Sequence, residues 1–313
     1  MIRFLVSTFI ALGFLSSLAA AAEPAKPAEL LKDAKRILFL GDSITAAGQY
    51  IAYFETWLAL QNRGTGPAII DCGLPSETVS GLSENGHAGG KFPRPDLFER
   101  LSRVLDATKP DLVVACYGIN CGIYEPFDEQ RLAKYQAGVR RLKTDVEKRG
   151  AKLIFVTPPY YDDLRSPKKF SYNGVLDRYA EWLVGEQKEG LTVIDLHSAM
   201  TKEVAARREK EPKFTMQPDG VHPNNQGHWF IARQLIGAFG GKSESWGSFE
   251  QMLTAEKAPA GLAPLVQQRM SVLRDAYVSA AGHKRPGVAA GLPIAEAEKK
   301  AAELSEKVRA LLK

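Results

Sequence analysis

Five short runs of apolar and mostly β-branched residues constrain this chain more than any other feature: Ile37–Leu40, Ala68–Asp71, Leu112–Cys116, Leu153–Val156 and Val193–Leu196. Runs of this length read as strands buried on both faces. Helical patterns separate them at Tyr50–Asn62, Leu97–Thr108, Asp128–Lys148 and Tyr172–Gln187. Strands that alternate with helices imply right-handed βαβ units and a parallel sheet covered on both sides. The expectation is an α/β chain: a flavodoxin-like three-layer α/β/α sandwich on a five-stranded parallel sheet, strand order 2-1-3-4-5.

In such a sheet ligands gather at the carboxyl ends of the strands, so chemistry is sought there. Gly41-Asp42-Ser43-Ile44-Thr45 follows the first run, and Asp219-Gly220-Val221-His222-Pro223 follows the fifth. A Ser on a strand-to-helix turn has an exposed hydroxyl with backbone N–H groups nearby. The second segment supplies an imidazole and a carboxylate to hold it. A Ser hydroxyl is a poor nucleophile until a base takes its proton, and a neutral His does so best when a carboxylate fixes its tautomer. Either segment alone is weak, since Ser often caps helices and Asp-x-x-His occurs in turns. Two more segments lie between them at strand ends: Asp71-Cys72-Gly73-Leu74-Pro75-Ser76-Glu77-Thr78 and Tyr117-Gly118-Ile119-Asn120.

In this order the segments resemble the SGNH (GDSL-type) hydrolases, a family of esterases, lipases and carbohydrate deacetylases, over roughly residues 35–240. The resemblance implies that Ser43 is the nucleophile, that Asp219 and His222 are the orienting acid and general base, and that Asn120 donates its side-chain amide to an oxyanion. Two positions depart from the family pattern. The second block usually carries a Gly whose N–H donates to the oxyanion, and alignment on Glu77-Thr78 puts Ser76 there, not Gly73. The third block usually reads Gly-x-Asn-Asp, and Cys121 stands in place of the Asp. The implied oxyanion hole is therefore the N–H groups of Ser43 and Ser76 with the Asn120 amide.

Other residues compete for a role. His197 reads as the end of the fifth strand and is the chief rival base, but its Asp195 would sit inside a buried strand and Ser198 reads as a helix cap. His87 lies in a Gly- and Pro-rich loop, residues 83–95, read as a pocket rim. Tyr160 and Tyr161 read either as a wall for a sugar face or as a cover for the sheet end. His228 falls inside the helical run Gln226–Phe239.

The net charge of +5 is mild and interspersed, with no footprint for nucleic acid. Arg3, the apolar stretch Phe4–Leu18 and Ala20-Ala21-Ala22 read as a signal peptide over residues 1–22. That predicts an exported protein, periplasmic or extracellular, with no membrane span after cleavage. The hydrolase region is read as 23–241 and a helical extension, either a packed hairpin or a free arm, as 242–313. Three cysteines, an odd number, leave at least one free thiol, and all three are expected free. No His/Asp cluster with metal-ligand spacing stands apart from the site, so no metal and no cofactor are expected. The expected function is hydrolysis of carboxylic esters, O-acetyl groups on a carbohydrate above all. The alternative is a weak or inactive domain serving as a carbohydrate-binding module.

Overall fold

The computed structural model describes residues 24–313; the expected signal peptide lies outside them. A helix α1 (Pro27–Asp33) precedes strand β1 (Arg36–Gly41), the short helix α2 (Ser43–Ala46) and helix α3 (Gln49–Gln61). Strand β2 (Ala68–Asp71), α4 (Leu101–Thr108), β3 (Leu112–Cys116), α5 (Glu129–Glu147), β4 (Lys152–Val156) and α6 (Tyr172–Gly185) follow. Strand β5 (Thr192–Ile194), α7 (Leu196–Arg208) and α8 (Asn225–Ala238) complete the alternating part. The five strands form one all-parallel sheet in the order β2-β1-β3-β4-β5, as the sequence predicts. Right-handed crossovers put α3 on one face and α4, α5 and α6 on the other. The chain returns at α8 to pack beside α3.

The sheet is the core. Ile37, Leu38, Phe39 and Leu40 of β1 and Val113, Val114 and Ala115 of β3 are all buried, as strands covered on both faces must be. Phe54 and Trp57 of α3 close over them with Phe239 after α8.

Two boundaries differ from expectation. The fifth strand stops at Ile194 because Asp195 turns its carboxylate to accept from the N–H of Ser198 and so caps α7. His197 is therefore the second residue of a helix and does not end a strand, and Ser198 receives the cap instead of forming it. The run from Leu97 breaks into a 3-10 turn, Leu97–Glu99, and α4, because Arg100 between them is drawn into the interior.

The C-terminal region holds α9 (Phe249–Ala255), α10 (Leu262–Ala281) and α11 (Ile294–Leu311). The last two form a packed hairpin, not a free arm: α10 lies against α3, α4 and β2. Met270, Leu273 and Tyr277 enter the same core as the sheet. The approach is close enough that Gly48, at φ +73°, could carry no Cβ without meeting Met270 Cε at 2.6 Å.

Candidate active site

The first block is a strand end forced into a tight turn. A Cβ on Gly41 would stand 2.0 Å from Thr45 Oγ1 and 2.9 Å from the Cys116 carbonyl, so only Gly fits. Asp42 then caps α2, its carboxylate accepting from the Ile44 N–H at 3.0 Å. Burial pushes the Asp42 carboxyl up to about 6, against that hydrogen bond and the nearby His222 and Arg94. Ser43 becomes the first helical residue, where a backbone N–H has no partner within the helix.

Ser43 Oγ lies 2.9 Å from His222 Nε2. His222 Nδ1 lies 2.7 Å from Asp219 Oδ2, while Asp219 Oδ1 accepts from the backbone N–H groups of Val221 and His222 at 2.9 and 2.7 Å. An ionised carboxylate only accepts. The Nδ1 therefore carries the ring proton, and Nε2 presents its lone pair to the Ser43 hydroxyl. Partial burial works against the charge on Asp219, but the hydrogen bonds from the His222 ring and from the two backbone N–H groups outweigh it and hold the carboxyl below its ordinary 3.8. The side chains of His222 and Asp219 are 52% and 56% exposed, so this end of the site is open to solvent.

The second and third blocks supply hydrogen-bond donors. The Gly73 N–H is taken by Asp71 Oδ1 at 2.8 Å. Ser76, at φ +70°, makes no backbone N–H bond to another described residue. That conformation is costly for a residue with a Cβ, on the order of 1–3 kcal/mol. It is held by Glu77, whose buried carboxylate takes Arg100 Nε and Nη2 at 2.6 and 2.8 Å and the Tyr117 hydroxyl at 2.6 Å. Burial opposes the charge on Arg100, and the Glu77 carboxylate more than offsets it, raising the guanidinium above its ordinary 12.5. The Glu77 carbonyl accepts from Asn120 Nδ2 at 3.3 Å, and Asn120 Oδ1 accepts from the Tyr124 hydroxyl at 3.1 Å. One Nδ2 hydrogen remains. Gly118, at φ +147°, lets the strand end pass Pro158, whose Cβ would stand 2.6 Å from a Cβ at that position.

The family model of the GDSL-like lipase/acylhydrolase family matches residues 39–230, more than half of the 313-residue chain. The chain belongs to this family. As a GDSL-like acylhydrolase it is a hydrolase of ester bonds. No curated protein matches it. An acetylxylan esterase from Geobacillus stearothermophilus matches in structure at 23% identity and a TM-score of 0.50, over 67% of this chain and 95% of that one. A gut microbial diltiazem-metabolizing enzyme matches at 20% identity and a TM-score of 0.52, over 71% of this chain. This GDSL-like chain spans about half of that enzyme, 49%. At such identities the likeness is one of fold.

Several candidates lie elsewhere. The His197 ring is fixed between Asp177 Oδ1 and the Pro158 carbonyl, at 2.7 and 3.2 Å, and makes no bond to Ser43. His228 is buried, stacked on Tyr50 with centroids 6.3 Å apart, and burial first and the nearby His222 second lower it to about 4. Tyr161 is buried and donates to the Ser166 carbonyl, and the buried Tyr160 accepts from Arg208, so both rings cover the sheet end. His87 Nδ1 sits 3.2 Å from Glu84 Oε1, away from the Ser43–His222 pair in its hydrogen bonding. All three cysteines are free and buried, with Cys72 pushed up to about 12 and Cys121 to about 11 by burial, which disqualifies them as nucleophiles. Among the described residues no group of three or more His, Cys, Asp and Glu is placed to hold a metal.

Sequence reasoning missed Arg100, Arg94, Tyr124 and Arg274. Arg274 reaches from α10 to donate to the Ala46 carbonyl at 3.1 Å, so the hairpin supports the helix that carries Ser43. Arg94 grips Glu84 with Nε at 2.6 Å and Nη2 at 2.7 Å. None of the four stands in a motif.

Proposed function

We propose that this hydrolase is a serine esterase that removes O-acetyl groups from a carbohydrate through an acyl-enzyme on Ser43. The observation that carries the reading is the relay from Ser43 Oγ through His222 to Asp219, at 2.9 and 2.7 Å. His222 Nε2 takes the Ser43 proton as Oγ attacks the ester carbonyl. Charge collects on the carbonyl oxygen and is met by the N–H groups of Ser43 and Ser76 and the remaining N–H of Asn120. Each such donor contributes about 2.7–4 kcal/mol to lowering the barrier. The tetrahedral intermediate collapses as His222 protonates the leaving alkoxide, which departs as the alcohol. Water, deprotonated by the same base, then attacks the acetyl–Ser43 ester and releases acetate with Ser43 reprotonated. No cofactor enters this cycle.

The acetyl and carbohydrate parts of the reading rest on two supports. The relay is open to solvent, which suits a small acyl group on a bulky polymer. The Geobacillus neighbour is described as an acetylxylan esterase, and we carry that substrate class to this chain as the proposal. The apolar stretch Phe4–Leu18 supports an exported enzyme acting where such polymers are found.

The test is hydrolysis of p-nitrophenyl acetate, butyrate and octanoate, together with acetate release from acetylated xylan, by wild type and Ser43→Ala. The reading expects turnover that falls with acyl length, acetate release from xylan, and loss of both in the variant. Turnover rising toward octanoate would overturn the acetyl assignment. Binding of xylan with no hydrolysis of any ester would instead support a carbohydrate-binding module.

A further inference from the structure

Asn120 is held at both ends by groups of opposite kind. The Glu77 carbonyl can only accept, so it must face the amide nitrogen, which it does at 3.3 Å. The Tyr124 hydroxyl donates to Oδ1 at 3.1 Å. A flipped amide would set Oδ1 against the Glu77 carbonyl, two acceptors together, so the arrangement has one orientation. A hydrogen bond donated to an amide oxygen also draws electron density from the nitrogen and makes its N–H groups stronger donors.

The hydroxyl is fixed by its surroundings. Ile123 and Tyr124 adopt φ values of +48° and +58° in succession, a region that residues with a Cβ and above all β-branched ones rarely enter. Strained backbone of this kind concentrates where a geometry is imposed. The Tyr124 ring stacks on Tyr172 with centroids 4.7 Å apart, and the Arg94 guanidinium lies 5.2 Å from its centre. Tyr172 is itself tied to the Ile119 carbonyl at 2.7 Å, one residue from Asn120. Burial raises the Tyr124 phenol above its ordinary 10, so it remains a donor. Cys121, which stands where the family pattern carries Asp, is buried and makes no hydrogen bond to Asn120.

We infer that Tyr124 is the positioning residue of the oxyanion hole in this chain: its hydroxyl orients and polarises the Asn120 amide, in a chain where the usual Asp is absent. This rests on the serine esterase reading above. Tyr124→Phe removes one oxygen and keeps the stacked ring, so the fold should persist. On p-nitrophenyl acetate we expect kcat to fall about fivefold to tenfold, the equivalent of one hydrogen bond, with KM within about twofold and a cooperative melting curve lowered by only about a few degrees. Asn120→Ala should cost more, roughly 10²-fold or beyond, and adding Tyr124→Phe to it should cost nothing further. A wild-type kcat in Tyr124→Phe beside an inactive Ser43→Ala would refute the role of Tyr124 alone. So would an equal loss from Tyr124→Phe in the Asn120→Ala background, or a loss matched by changes in KM and melting. Full activity in Ser43→Ala would refute the underlying reading instead.

Discussion

His222 Nε2 stands 2.9 Å from Ser43 Oγ although 179 residues of sequence separate the two. The topology makes this meeting. β1 is interior to the sheet, and Ser43 follows its carboxyl end. His222 sits just ahead of α8, which lies beside α3 directly after Ser43's own turn. Asp219 needs no such journey, since a three-residue turn brings its carboxylate onto the His222 ring.

Asp219→Asn tests the tautomer. An amide in place of the carboxylate offers Nδ1 an N–H, so the ring proton moves to Nε2 and the base is lost. We expect kcat to fall about 10²- to 10⁴-fold. Because the Asp219 carboxyl is held below 3.8, it stays ionised down to acid pH. The wild-type kcat/KM should fall on acidification, as the imidazole becomes unable to accept. A profile without an acid limb would contradict the role of His222.

Ser76 tests the backbone donor. Ser76→Gly keeps the N–H and removes the strain at φ +70°, so activity should stay within about twofold while stability rises by up to about 1 kcal/mol. Ser76→Pro deletes the N–H and forbids positive φ, and should cost at least about 10²-fold in kcat. Equal activity in both variants would remove Ser76 from the oxyanion hole.

Asp71 makes stability depend on pH. Burial pushes its carboxyl up from 3.8 to about 7, against the Gly73 hydrogen bond, and its Oδ2 has no partner among the described residues. A raised acid favours the neutral form in the fold, so its contribution is fully present below 3.8 and is lost as pH rises through about 7. Asp71→Asn cannot ionise. Its stability should therefore gain on wild type between roughly pH 4 and pH 8, by an amount on the order of a few kcal/mol. A gap that does not change with pH would contradict this.

The α10–α11 hairpin belongs to the core. Removing residues 242–313 uncovers α3, α4 and β2, and the remaining chain should lose its cooperative melting transition and its esterase activity. Met270→Ala alone should cost about 2–5 kcal/mol, read as a shift in the denaturation midpoint. A folded, active fragment ending at Gly241 would show the hairpin to be dispensable.

What the sequence disclosed follows from how local each signal is. The strands could be read because each is a contiguous apolar run, Ser43 because it stands in a short motif at a strand end, and Asp219 and His222 because they share a short motif ahead of α8. The fifth strand was overrun because Leu196 is apolar whether it ends a strand or begins a helix, and the Asp195 cap decides between them. Tyr160 and Tyr161 were ambiguous because burial is not a property of a dipeptide. The anchors of the proposed oxyanion hole and of the Ser43 helix had no local signal: Arg100 meets Glu77 across 23 residues, and Arg274 meets Ala46 across 228. Only packing reveals such pairs.

The most direct test of the account is covalent capture of the nucleophile. Wild type treated with diethyl p-nitrophenyl phosphate should release a single equivalent of p-nitrophenol and lose esterase activity in parallel. The diethylphosphoryl group should be found by mass spectrometry on Ser43, and Ser43→Ala should take up none. Inactivation with the label on another residue, or full esterase activity with Ser43 blocked, would contradict it.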